Sequence, residues 1–119
     1  MNLYYIGSTK GVKEYSQMKA LNSQIGKKVI VRADKAGVFF GTLIAKNDLE
    51  VQLADFRKLY YWSGANAIEQ IALEGVKNPE DCKFTVVNKE VTISNYIQII
   101  TCTDTAIANL ESVSIWKKL

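Results

Sequence analysis

Two periodicities divide this chain. Between Val12 and Ile25 the apolar residues Val12, Tyr15, Met18, Leu21 and Ile25 recur every three to four positions, the spacing of one face of an amphipathic helix, closed by Gly26. Ahead of it, Tyr4, Tyr5 and Ile6 read as a short strand or hydrophobic tail. After Lys27 the pattern becomes extended: V-I-V-R-A runs into D-K-A-G and leaves as V-F-F-G-T-L-I-A, a β-hairpin in which Gly37 supplies the positive φ of the turn. Lys46, Asn47 and Asp48 mark a second turn, Glu50–Leu53 a third strand and Phe56–Trp62 a fourth, so the run predicts a meander.

The next stretch is helical. Ser63 is placed as N-cap of a helix from about Gly64 to Glu74, with Ile68, Ile71 and Ala72 on one face and Gly75 as its stop. The only proline, Pro79, stands at the first position of a single helical turn capped by Asn78. Phe84–Val87 and Val91–Ile93 are expected to flank an N-K-E turn, and Tyr96–Cys102 is Ile-rich enough for a central strand. Thr103 or Asp104 then caps a last helix carrying Ala106, Ile107, Leu110 and Val113. The expected fold class is α+β: a single domain, mainly an antiparallel β-sheet meander with two to three α-helices. The expected division is an N-terminal arm, residues 1–27, with a short strand and an amphipathic helix, followed by an α+β domain, residues 28–119, expected to be the ligand-binding part.

Composition narrows the function. With 119 residues, 48% apolar and 23% charged, the chain is the size of one domain with a real core. A net charge of +3 with only two arginines, Arg32 and Arg57, does not predict a duplex nucleic-acid surface. No apolar run approaches the ~20 residues that span a bilayer, and the N-terminus lacks the pattern of a secretory signal, so the expected location is cytoplasmic. Cys82 and Cys102 lack C-x-x-C spacing and read as buried, reduced thiols. The chain has no histidine, which removes Ser-His-Asp and Cys-His nucleophile systems, His-ligated zinc and the commonest neutral-pH base together. No catalytic residue, metal site or cofactor is predicted.

The candidate chemistry gathers at R-K-L-Y-Y-W-S-G-A-N. Alternation on a strand sends Leu59 and Tyr61 to one face and Tyr60 and Trp62 to the other. The extra aromatic face is a second packing layer, a subunit interface or a platform for a flat ligand. Ser63 and Gly64 at a helix start would offer free N–H groups to an anion, or Ser63 merely caps. Arg57, on the same strand, and Arg32, near the D-K-A-G turn, pair with phosphate or are solvated edge-strand arginines. Phe39 and Phe40 repeat the two-faced pattern, as stacking sites or oligomer interfaces, or as parts of a two-layer core in which helices cover both sheet faces. Asn88, Asn95, Thr92 and Ser94 can read base or ribose edges, or serve turns.

The blocks V-R-A-D-K-A-G-V-F-F-G-T-L, L-Y-Y-W-S-G-A, E-G-V-K-N-P-E-D-C-K-F, I-I-T-C-T and V-S-I-W-K, in this order from about Val29 to Lys117, resemble the phage-encoded Thoeris anti-defence proteins of the first type. Ser114 stands where that pattern has a proline, and no arginine occurs between Asp104 and Ser112. The resemblance implies a viral protein that is not an enzyme but a sponge: it would sequester glycocyclic ADP-ribose, the signal of TIR-domain immune enzymes, without cleaving it. It implies a homo-oligomer, dimer or hexamer, with the nucleotide near a subunit interface and cyclic di- or trinucleotides at a second site. Phe84 and Asn95 match positions of the cyclic ADP-ribose pocket, to which the residues themselves add Tyr61, Trp62, Ser63 and Arg32. Gly37 and Arg57 are the candidates for the second site. The competing expectations are a small oligomeric protein-binding module without a nucleotide ligand, and a carboxylate-dependent nucleotide hydrolase.

Overall fold

The computed structural model describes residues 23–118. The strand expected at Tyr4–Ile6 and most of the helix expected over Val12–Ile25 lie outside them. The last residues of that segment, Ser23–Ile25, are in a turn. The described residues form one α+β domain of six strands in one sheet, antiparallel in every pairing, with two α-helices. The strands are β1 (Lys28–Ala33), β2 (Gly37–Lys46), β3 (Glu50–Tyr61), β4 (Lys83–Phe84), β5 (Asn88–Ser94) and β6 (Tyr96–Thr101). The helices are α1 (Ile68–Glu74) and α2 (Asp104–Ser112), with a single 3-10 turn at Pro79–Asp81.

The first three strands are the expected meander, and their turns have the expected chemistry. Gly37 has φ +107°, and Asn47 Oδ1 accepts from the N–H groups of both Leu49 and Glu50 at 2.8 Å. Beyond β3 the chain departs from a meander. Strand order is β5-β3-β2-β1-β6 along the main body, with β4 on the far end of β3. β5 and β6 run in the same direction and are joined by Asn95 alone, although they lie at opposite ends of this order. In a flat sheet they would be about 19 Å apart, four spacings of ~4.8 Å, which one residue cannot span. The sheet therefore rolls, and Asn95, at φ +57°, marks the crossing. Its N–H donates to Leu49 O (2.8 Å) and its carbonyl accepts from Asp34 N–H (3.0 Å), which ties both hairpin turns to the crossing point.

Rolling gives the sheet two cores. The inner face encloses Val29, Val31, Phe39, Leu43, Val51, Leu53, Phe56 and Ile93. The outer face packs Ile30, Phe40, Leu59 and Phe84 against Ile68, Ile71, Ala106 and Leu110 of the helices. Phe39 and Phe40 thus enter different cores: both faces of the sheet are buried, but helices cover only the Phe40 face, and the Phe39 face is closed by the roll of the sheet itself instead of by the helices expected there.

Several local expectations change. Tyr96–Thr101, expected as a central strand, pairs only with β1 and ends the strand order. The strands expected at Glu50–Leu53 and Phe56–Trp62 are one strand, β3, irregular at Asp55 (φ +48°), whose two halves pair on the same edge with β5 and then β4. The N-K-E segment is not a turn but the start of β5, because Asn88 and Glu90 find partners in Phe56 and Ala54. Helix α1 begins at Ile68 with Ala67 as N-cap, not at Gly64 with Ser63. The cause is tertiary: Gly64, at φ +92°, and Ser63 give their carbonyls to the N–H groups of Lys77 and Asn78, so the chain at 63–64 is bound to the loop after α1. The last helix follows the prediction, with Thr103 Oγ1 accepting from Ala106 N–H at 3.1 Å.

Candidate functional site

The end of β3 carries the aromatics out of the protein. Leu59 is buried in the helix-side core, and Trp62, after the strand ends, is half-buried against it. Tyr60 and Tyr61 are 61% and 52% exposed. Tyr60 leaves on the side opposite Leu59 and meets the C-terminal tail: its ring stacks on Trp116, with centroids 5.0 Å apart and planes at 14°. Trp116 is itself held by the fold. Its backbone N–H donates to Phe84 O (2.9 Å), next to an isolated parallel bridge between Ile115 and Phe84, so the tail is attached to the edge of β4 at one point. Trp116 remains 45% exposed. Lys83, the β4 partner of Tyr61, holds Nζ 5.6 Å from the Trp116 ring centroid. Lys58 lies two residues before Tyr60 on the same side of β3, with Nζ 5.8 Å from the Phe39 ring and its side chain against Gly37. Two stacked, exposed rings, with Lys83 over one of them and Lys58 two residues along the strand, make an aromatic and cationic surface at this end of β3.

The two arginines have different fates. Arg32 is exposed on β1, on the side of Ile30, in register with Val38 and Gln98. The carboxyl of Glu69 is held below the usual carboxylate range by its own helix-start N–H, by the Gln98 amide and, more weakly, by Arg32. Arg57 is 3% exposed, which overturns both the anion-binding and the solvated-edge readings. Its Nε–H donates to Thr85 O (3.1 Å), Nη1 to Leu110 O (3.2 Å) and Val113 O (2.8 Å), and Nη2 to Phe84 O and Ser114 O (both 3.4 Å). All five guanidinium donors are committed to backbone carbonyls, so none is left for a phosphate. Burial lowers its pKa. Arg57 is a structural latch that caps the C-terminal end of α2 and fixes the start of the tail.

Phe84 also changes role. Its ring is wholly buried, with the Arg57 guanidinium carbon 5.3 Å from its centroid, so in this chain it offers no face to a ligand. Asn95 is exposed but far away: Ser94 pairs with Glu50 and Phe84 with Leu59, nine positions on (50 to 59), roughly 30 Å of extended strand. The two expected pocket residues therefore lie at opposite ends of β3. Ser63 is not an N-cap; its hydroxyl accepts from Asn78 Nδ2 at 3.1 Å, and the seven-residue α1 does not present the anion cradle expected at Ser63–Gly64. Gly37 lies at the platform, through Lys58, and not beside the Arg57 donors that face α2 and the tail. Tyr61 and Trp62 stand beside the platform.

Cys82 and Cys102 are free, buried thiols. Burial raises the pKa of both, that of Cys102 to about 12, which keeps its sulfur neutral and a poor nucleophile. Sequence reasoning did not single out Tyr60, Trp116, Lys58 and Lys83 as site residues. Both aromatic blocks were visible, but nothing in the sequence says that the tail folds back onto β4.

Fold and surface together define a small single-domain α+β protein with a rolled antiparallel sheet and an aromatic and cationic surface at the end of β3. Residues 26–110 match the family described as a domain of unknown function (DUF6948), and the chain belongs to that family. No curated protein and no solved structure matches it. No helix among the described residues is long and apolar enough to cross a membrane.

Proposed function

We propose that this protein is a phage anti-defence protein that captures a cyclic ADP-ribose signal, glycocyclic ADP-ribose, and withholds it uncleaved from its effector in the cytoplasm of the infected cell. One observation carries the reading. The blocks L-Y-Y-W, C-K-F and V-S-I-W-K, through which the sequence resembles the Thoeris anti-defence proteins, are far apart in the chain yet converge as the end of β3, β4 and the tail. Their convergence leaves exposed rings and lysines on one face, the chemistry that suits a flat base attached to phosphates. Capture requires tight binding and no turnover, so it makes no demand for a histidine or an acid-base pair.

The role also suits an oligomer. Asn95 and the β4 end are too far apart to hold one ligand in a single chain, whereas two copies related by a two-fold axis can bring them together. The test is calorimetric titration with the linkage isomers of glycocyclic ADP-ribose, followed by heating the complex and identifying what is released. Stoichiometric binding with intact ligand recovered supports capture. Product formed in excess of protein would sink it in favour of an enzyme, and no heat with any isomer would favour a protein-binding module.

A further inference from the structure

Resting on that capture role, we infer that Tyr60 and Trp116 form the stacking subsite for the adenine ring of the nucleotide, with Lys58 and Lys83 to take its phosphates. Tyr60 keeps 61% of its surface exposed although one ring face lies on Trp116, so the opposite face is open. A purine laid there would extend an existing parallel stack, the geometry in which an aromatic ring accepts a base without regard to its edge pattern.

The platform is also held by its neighbours. Tyr60 lies between Leu59 and Tyr61, which pair with Phe84 and Lys83 of β4, and Trp116 is pinned by the Phe84 carbonyl and by the bridge at Ile115. Little ordering cost remains to be met on binding. Lys83, on β4, holds its Nζ over the Trp116 ring, and Lys58, two residues before Tyr60 on the same side of β3, holds its Nζ over Phe39, so the two cations come from different strands. A ligand with one flat ring and two phosphate groups satisfies all four side chains.

The test is titration of the full chain with glycocyclic ADP-ribose and, in parallel, linear ADP-ribose, read by calorimetry and by tryptophan emission. The variants are Tyr60→Leu, Tyr60→Phe, and Lys58→Gln with Lys83→Gln. Tyr60→Leu should weaken binding tenfold or more, and Tyr60→Phe, which keeps the ring, by no more than about twofold. The double lysine variant should flatten the salt dependence of affinity. An unchanged urea midpoint for Tyr60→Leu establishes that it is folded; should it shift, Tyr60→Phe together with the lysine pair carries the test. If the parent binds the nucleotide and Tyr60→Leu binds equally well, the subsite is wrong while capture stands. If the parent binds neither nucleotide, both fail. A concentration-dependent association abolished by Tyr60→Leu, with nucleotide affinity intact, reassigns the platform to a contact between copies.

Discussion

Replacing Arg57 by alanine tests the reassignment of this residue from ligand contact to structural latch. Three of its hydrogen bonds are well formed, to Thr85 O, Leu110 O and Val113 O, and two are long. A hydrogen bond to a charged donor contributes about 1.5–3 kcal/mol, so three amount to roughly 5–9 kcal/mol before offsets. Two offsets apply. Burying the guanidinium itself costs desolvation, the direction in which its pKa is displaced, and that cost disappears with the side chain. A surface cavity of about 240 Å³, lined by Arg57, Lys28 and Asp55 among others, also adjoins the side chain, so water can enter the space that its removal vacates. The expected net loss is about 2–4 kcal/mol. With a urea slope of about 1.5 kcal/mol/M this moves the unfolding midpoint down by roughly 1.3–2.7 M. Arg57→Lys keeps the charge but has three donors on a point instead of five on a planar fork, and should lose about half as much. A loss below about 1 kcal/mol in Arg57→Ala, or a lysine variant as stable as the parent, would refute the latch.

Other positions give independent checks. Asn109 Oδ1 accepts from Val76 N–H (2.8 Å) and its Nδ2 donates to Val76 O (2.9 Å), so Asn109→Ala should cost about 1–3 kcal/mol in urea unfolding by leaving both backbone groups of Val76 without those partners. Gly64→Ala should cost at least about 1–2 kcal/mol, since φ is +92° and the new Cβ would fall 2.6 Å from Lys77 N and 2.7 Å from Asn78 N. Cys102 should resist alkylation by iodoacetamide in the folded protein at pH 8 and react on unfolding, as a thiol with a pKa near 12 is almost wholly protonated there. Because that folded pKa lies above the unfolded value of 9.0, the unfolded state releases the proton first. Cys102 then lowers stability as pH rises from about 9 towards 12, by at most ~1.4 kcal/mol per pH unit, and Cys102→Ala should remove that slope.

What was legible in the sequence was local. The D-K-A-G and K-N-D turns, the Thr103 cap and the start of the Pro79 turn all depend on a few adjacent residues and form as expected, whereas the expected Asn78 cap is missing because its amide donates to Ser63 Oγ. What was not legible depends on partners remote in sequence. Nothing in N-K-E-V says that Asn88 finds Phe56, and nothing in S-G-A says that Ser63 is bound by Asn78. Arg57 is the clearest case. Its rarity drew notice, but its partners are carbonyls of residues 84, 85, 110, 113 and 114, and a backbone acceptor has no sequence signature. The same holds for Trp116, whose ring is informative only after the tail is laid beside β4.

The latch and the platform are consequently parts of one construction. Phe84 presents a carbonyl that accepts from both Arg57 Nη2 and Trp116 N–H, and Arg57 also holds Val113 and Ser114, the residues that lead into the tail. Loosening Arg57 therefore loosens the segment that places Trp116 over Tyr60. On the proposed capture role, Arg57→Ala should weaken nucleotide binding without Arg57 touching the nucleotide, and in proportion to the loss of the Tyr60–Trp116 stack. A direct contact and this indirect one differ in a measurable way. If Arg57 acts only through the tail, then in a protein already carrying Tyr60→Leu the further change Arg57→Ala should cost little more affinity, because the stack it supports is gone. If the two losses simply add, Arg57 acts on the ligand by another route and the coupling through the tail is wrong.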